Sequence, residues 1–392
     1  MKVLQINSVY PNGSTGGIAK GIKQTCEKYG IECKVAYRFT ESETIENTFA
    51  VSSWLDCHLH NRLARITMKQ GCYSKFKTKN FLKKITAYSP DIIHLHNIHG
   101  SFLNHKMLFN YIKKRDIKVV WTLHDCWALT GNCVYFDMIG CDKWKSECNN
   151  CSQKNGAKFD NSKKMHRRKK AIFSGVKKLT FVTPSKWLAD LAKQSFLKQY
   201  PIKVINNGID LSIFKPTKSD FRVKYGLENK KIILGVAFSW GIRKGLDVFI
   251  ELAKRLPPDY QIILVGTNDK IDKQLPNNII SIHKTGNQIE LAQIYSVADV
   301  FVNPTREDNY PTVNMESLAC GTPIITFNTG GSPEIIDGTC GIVVDKDDID
   351  AMEREIIRVC ENKIFNSNDC VLRAKQFDKH DKFKEYVELY QG

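Results

Sequence analysis

Short apolar runs recur along the chain, and between them the apolar positions open out to a spacing of three and four. Runs at 2–6, 33–37, 91–95, 117–123, 179–183 and 202–205 have the length and branched content of buried strands. A second series follows at 231–237, 260–265, 279–283, 299–303, 322–327 and 341–344. Helical spacing fills 17–29, 104–115, 184–196, 245–255, 287–298, 311–319 and 347–361. Continuous apolar strands alternating with helices predict parallel sheets covered on both faces. The alternation occurs twice, so the expected fold class is α/β, with two doubly wound, Rossmann-like domains. The turn-rich stretch Asn206-Asn-Gly208-Ile-Asp210 through Pro216 is the expected linker, placing the domains at 1–212 and 213–375. Ligands of such sheets gather at the carboxyl ends of the strands, so an interdomain cleft is the expected binding place.

Bulk properties narrow this picture. A chain of 392 residues exceeds one ordinary core, and 42% apolar with 25% charged residues is a soluble composition. No apolar run reaches the length of a membrane span, and the first residues lack a signal-peptide block, so a cytoplasmic protein is expected. Its 13 cysteines are then expected to be reduced or metal-bound. The net charge of +17 is uneven. Residues 1–215 hold 36 Lys and Arg against 15 Asp and Glu, whereas 216–392 hold 22 against 26. A large anionic partner would therefore meet the first half.

Two segments of the second half carry the clearest chemistry. In Pro304-Thr-Arg-Glu307-Asp308-Asn309-Tyr310-Pro311-Thr312-Val-Asn-Met-Glu316-Ser-Leu-Ala-Cys-Gly321-Thr-Pro323, acids at 308 and 316 flank a helix start. Pro311 suits a first helical position, Asp308 or Asn309 can cap, and free amides there attract phosphate or sugar hydroxyls. Glu316, about a turn and a half inside, can accept both hydroxyls of a ribose. Ser239-Trp-Gly-Ile-Arg243-Lys244-Gly245 follows an apolar strand and puts two cations where a pyrophosphate can be neutralised. The alternatives are a capped surface helix and a polar loop.

The first half offers Tyr10-Pro-Asn-Gly13-Ser-Thr-Gly16-Gly17-Ile18 between its first strand and helix, either a phosphate approach or a plain tight turn. His94, His96 and His99, and then His124-Asp125, end apolar strands and are expected at the cleft. His124 can donate to a phosphate or sugar hydroxyl, and Asp125 can orient it or steer an acceptor hydroxyl. The run Cys133-x7-Cys141-x6-Cys148-x2-Cys151 either holds a structural zinc or stands as free thiols or disulfides in a long loop. The basic segment 163–178 is either a membrane contact or a solvated basic helix.

Together these motifs resemble glycosyltransferase family 4, with the GT-B fold, over nearly the whole chain. Asp308-x7-Glu316 fits the family's Glu-x7-Glu frame, and Cys320-Gly-Thr-Pro-Ile fits the turn after it. Gly330-Gly-Ser-Pro-Glu334, Asn207-Gly-Ile-Asp210, Phe214-x-Pro216 and Lys244-Gly245 match further family positions. Two positions depart. The first acid is Asp308, with Glu307 beside it as the other candidate, and Ser239 stands where the family has a phosphate-binding Arg, leaving Arg243 to replace it. Arg243-Lys-Gly, Glu307-Asp-Asn-Tyr-Pro and the cysteine loop are similar to the branch that builds capsule, colanic-acid or O-antigen chains.

The resemblance implies a retaining enzyme that uses no metal for catalysis. It assigns catalytic roles to His124, Lys244, Arg243 and Asp308. It places Gly16, Gly17, Glu307, Asn309, Tyr310, Pro311, Thr312 and Glu316 on the donor, a UDP- or GDP-sugar. It also implies a final helix at 376–392 that returns to the first domain, for which Phe383-x2-Tyr386-Val-x-Leu-Tyr390 has the spacing. The expected acceptor is a glycan or lipid-diphosphate-linked glycan at the anionic inner face of the plasma membrane, and no nucleic acid is expected. The competing readings are a sugar-nucleotide epimerase of the same fold and a non-catalytic basic protein binding nucleic acid or another anion.

Overall fold

The computed structural model describes residues 1–39, 45–154 and 156–392. It divides into one unit of 1–206 with 382–392, and a second of 207–381. The first unit runs β1 (Lys2–Ile6), α1 (Ser14–Lys28), β2 (Glu32–Tyr37), β3 (Thr48–Ala50), α2 (Trp54–Thr67), α3 (Lys75–Tyr88), β4 (Ile92–Leu95), α4 (His105–Arg115), β5 (Lys118–Thr122), α5 (Ser162–Phe173), β6 (Leu179–Thr183), α6 (Lys186–Gln194) and β7 (Ile202–Val204). The second runs α7 (Phe221–Lys224), β8 (Lys231–Val236), α8 (Leu246–Arg255), β9 (Tyr260–Val265), α9 (Asp269–Asp272), β10 (Ile279–Ile282), α10 (Gln288–Val297), β11 (Val300–Asn303), α11 (Thr312–Ala319), β12 (Ile324–Phe327), β13 (Gly341–Val344), α12 (Ile349–Asn362) and α13 (Ser367–Ala374). A last helix, α14 (Lys379–Gln391), ends the chain.

The strands order as β3-β2-β1-β4-β5-β6-β7 and β10-β9-β8-β11-β12-β13. Every pairing between these strands is parallel. In each sheet the order reverses beside the unit's first strand, between β1 and β4 and between β8 and β11. Those switch points leave a crevice at the carboxyl ends. The central strands are buried along almost their full length, because helices cover both faces. The short β3 and the helices α2 and α3 were not legible as periodic segments.

The tail helix packs on the first sheet by a defined set of contacts. Tyr390 donates to His94 Nδ1 at 2.6 Å, and His94 Nε2 donates to Thr122 Oγ1 at 2.8 Å. Thr122 passes its own proton to the Tyr386 hydroxyl at 3.2 Å. Lys118 Nζ donates to the carbonyls of Leu389 and Tyr390, both at 3.1 Å, a cation at the helix's negative end. Phe383 lies against Gly21 so closely that a Cβ there would stand 2.1 Å from its ring. Gly21→Ala gains about 1 kcal/mol of helix propensity but overpacks this contact by about 1–3 kcal/mol. The expected net result is faster hydrogen exchange across 383–391, and unchanged exchange there would refute the packing role.

Candidate functional site

In the second unit the chain leaves β8 through a turn, Phe238 to Gly241, that exposes Phe238 and Ser239, and a single 3-10 turn at Ile242–Lys244. Gly245 then starts α8 with φ 73°, and a Cβ there would stand 2.4 Å from the Pro304 carbonyl oxygen. Only glycine lets this loop lie on the one that follows β11. The two loops are stitched together. Arg306 N donates to the Arg243 carbonyl at 2.9 Å, and Arg243 Nη1 donates to the Glu307 carbonyl at 3.0 Å. Arg306 also bridges Asp247 at 2.8 Å and Asp347 at 2.6 Å.

The outcome is an ion pair between Lys244 Nζ and Asp308 Oδ2, each side chain 18% exposed. Of the two adjacent acids, Asp308 therefore faces the cation. Glu307 is 5% exposed, and its carbonyl ties the loop to Arg243 and Thr305. Gly330, at φ 57°, supports the segment from behind, where a Cβ would stand 1.7 Å from the Asp308 carbonyl oxygen. Gly330→Ala is accordingly expected to displace Asp308, cutting activity along with stability. A variant with wild-type melting and turnover would refute this.

Helix α11 begins differently from the expectation. Pro311 is the residue before the first helical one, in extended backbone at φ −70° and ψ 118°, and its own side chain offers no cap bond. Asp308 Oδ1 accepts from the Asn309 amide at 2.9 Å. The pair with Lys244 holds Asp308 back from the helix end. Asn309, Tyr310 and Pro311 are buried, with Tyr310 packed on Phe377 at 6.2 Å and its carbonyl accepting from Asn207 at 3.3 Å. Below the helix, Asn314 links Asn303 at 2.7 Å and Ser332 at 2.9 Å, fixing α11 to the ends of the sheet. A polar Asn within Val-Asn-Met was the available signal for this network, and it was missed.

Glu316 sits half-buried on α11 and accepts from the Tyr295 hydroxyl at 3.3 Å. Burial pushes its carboxyl up to about 7, against the opposing hydrogen bonds of Tyr295 and Thr312. A carboxylate held in this way gains by receiving further donors.

In the first unit, Gly16 is buried, with the Pro11 carbonyl carbon 3.2 Å from any added Cβ, while Gly17 is exposed with open space around it. Asn7 binds this loop through Val9 O at 3.0 Å and Thr15 at 3.2 Å, and its Oδ1 accepts from Asn97 N at 3.3 Å. His94 and His96 do not face a ligand, since both are buried and support the sheet. Gln5 Nε2 donates to the Ala19 carbonyl at 2.9 Å, so its Oε1 receives His96 Nε2–H at 2.9 Å. His96 Nδ1 must then accept from His124 Nε2–H, 3.0 Å away. Burial lowers His124 to about 4, so it is neutral near pH 7 with a fixed tautomer. The charge of the neighbouring Asp125 acts against that lowering. Asp125 pairs with His99 at 2.8 Å and receives the Trp127 amide at 2.8 Å. Burial opposes ionisation of Asp125, but these partners outweigh it and its pKa is lowered.

The basic segment 163–178 forms α5 and the turn after it. Met165, His166, Ile172 and Phe173 are buried, and Lys163, Lys164, Arg167 and Lys170 are exposed. Glu147 pairs with Lys163 and Arg167.

Both halves match known family descriptions: Glycosyltransferase Family 4 over 19–213, and Glycosyl transferases group 1 over 230–362. The chain is 23% identical to a putative colanic acid biosynthesis glycosyl transferase, WcaC, of Escherichia coli K12, with both chains covered in full. In fold it is similar to a sucrose-phosphate synthase from Thermosynechococcus elongatus, at TM-score 0.75 and 16% identity over 100% of this chain and 98% of that one. It is also similar to Anabaena HepE solved with UDP, at TM-score 0.68 and 16% identity over 100% of both. These likenesses identify the architecture as GT-B.

Proposed function

The chain belongs to glycosyltransferase family 4, and from that premise we propose a retaining, metal-independent enzyme transferring a sugar from a nucleoside-diphosphate donor to a glycan of a surface polysaccharide. The observation carrying this reading is the Lys244–Asp308 pair at the β8/β11 switch point, with Glu316 on the helix behind it. A diphosphate competes with Asp308 for Lys244, and the released carboxylate is then available to sugar hydroxyls. Arg243 adds positive charge beside the leaving group, and the Asn309–Thr312 backbone borders the sugar. Glu316 takes the ribose hydroxyls. Gly16 and Gly17 lie at the start of α1, where amides favour phosphate, and neutral His124 hydrogen-bonds the sugar.

Transfer without an enzymic nucleophile proceeds by front-face attack, with the departing diphosphate assisting deprotonation of the acceptor. Catalysis is then positioning plus charge stabilisation. The UDP in HepE supports a uridine diphosphate donor, with guanosine diphosphate as the other candidate. The family match favours the transferase over the epimerase and the nucleic-acid reading. A thermal-shift panel of UDP, GDP and their sugars tests donor binding. One nucleotide class is expected to stabilise the wild type and to lose that effect in Lys244→Ala. An epimerase would convert the donor without acceptor.

We further propose that the acceptor is lipid-linked and that the first unit rests on an anionic inner membrane face. Among the described residues no helix is long and apolar enough to cross a membrane. Helix α2 instead exposes Leu55, Leu59, Leu63 and Ile66 along one stripe, with Arg62 and Arg65 beside it. Vesicles containing anionic lipid are expected to pellet the protein, and L59E/L63E to abolish this. Equal recovery on neutral vesicles would refute it.

A further inference from the structure

Between β5 and α5 the chain runs 39 residues, 123–161, with two single 3-10 turns, Asp137–Ile139 and Lys143–Lys145. Stretches this long rarely hold a shape without a closure. The early part has an aromatic core, with Trp127 2% and Trp144 1% exposed and Phe136 stacked on Trp144 at 4.9 Å. Beside Phe136 and Trp144, a pocket of about 270 Å³ is lined by Cys133, Cys141, Cys148 and Cys151 together.

Cys133 and Cys151 bring their sulfurs to 3.7 Å. That is far beyond a disulfide bond of about 2.05 Å. It is close to the ~3.8 Å separating two thiolates that each stand about 2.3 Å from a tetrahedral ion. Cys148 Sγ accepts the Gly131 amide at 3.2 Å, the type of outer bond that orients a ligating sulfur. Among the described residues no third thiol lies within 4.8 Å of both members of the pair, so closing the set requires Cys141 and Cys148 to turn inward.

A buried cation supplies an independent reason for negative charge here. Lys169 is 2% exposed, and its ammonium donates to Trp127 O at 2.6 Å and Thr130 O at 3.0 Å. It lies 3.5 Å from the centre of the Trp127 ring. Burial opposes its charge, while Cys148, Asp125, Cys133 and Cys72 favour it. A buried ammonium that donates only to carbonyl oxygens is costly unless negative charge lies near it. Four thiolates around one divalent ion carry a net charge of about −2 and would supply that counter-charge.

We propose that Cys133, Cys141, Cys148 and Cys151 bind one zinc ion as thiolates, in a structural site with no open position. Four sulfur ligands select zinc over harder cations, and a closed set leaves no place for a reacting water. The ion closes the loop that begins at His124 and Asp125, and so holds the end of β5.

Full-length protein purified under reductant without added metal is expected to carry about one zinc per chain by elemental analysis. C133S/C151S is expected to lose it, and C72S, at a nearby thiol outside the set, to keep it. Cobalt added to chelator-stripped wild type should give thiolate charge-transfer bands and tetrahedral d–d absorption, a readout that does not depend on any variant folding. Four results would overturn the site: folded wild type without zinc and without the cobalt spectrum; iron in place of zinc; a mapped Cys133–Cys151 disulfide; or zinc retained in full by C133S/C151S.

Discussion

Lys244→Ala is expected to lower kcat by roughly 10²–10³-fold, the usual effect of removing one preorganised charge from a transition state that develops anionic character. Lys244 reaches the site because Gly245 lets its loop lie against Pro304, and because Asp308 holds the ammonium in place. The truncation also leaves the partly buried Asp308 without its cation, at a cost of about 1–3 kcal/mol. K244M/D308N separates the two effects. It should recover most of the melting temperature while turnover stays low. A double variant that recovers turnover would remove Lys244 from catalysis.

Glu316→Gln is expected to act on donor binding with little change in kcat. Each charge-assisted hydrogen bond weakened at the ribose is worth about 1.5–3 kcal/mol, so KM for the donor should rise roughly 10-fold or more. The pH dependence follows from burial, which raises the carboxyl to about 7 in the folded protein. Because the folded value lies above the unfolded one, the proton's contribution to stability is complete below the unfolded value, about 4.3. It is lost as pH rises through about 7. Donor affinity moves the other way, since ribose hydroxyls donate to the ionised form. Nucleotide binding near pH 6.5 should therefore release protons, seen as a buffer-dependent binding enthalpy, and Glu316→Gln should abolish that release. Buffer-independent enthalpy in the wild type would place the ribose elsewhere.

Much of this was legible because the chemistry follows directly on apolar runs. Lys244-Gly245 comes after β8, and the 307–316 segment comes after β11, so strand position alone brings them to one edge. The sequence does not show which acid turns toward Lys244. That depends on Gly330 pressing against the Asp308 carbonyl and on Arg243 engaging that of Glu307. The histidines were harder to place. His94 looks like any strand-end histidine, and its burial is set by Tyr390, 296 positions away. His124 meets His96 at 3.0 Å, a contact between two strand ends that the spacing along the chain does not announce. Helix α2 escaped notice because its longest apolar stripe faces outward, so its pattern did not mark a core-facing helix.

The central claim is that this chain uses a nucleoside-diphosphate sugar to glycosylate an acceptor through the Lys244–Asp308–Glu316 site. The most direct test measures nucleoside diphosphate released from a panel of UDP- and GDP-sugars, with and without lipid-diphosphate-linked glycan. The expected result is release from one donor class, dependent on acceptor, matched mole for mole by extended glycan and lost in Lys244→Ala. Acceptor-independent interconversion of the donor, or glycan extension undiminished in Lys244→Ala, would contradict the account.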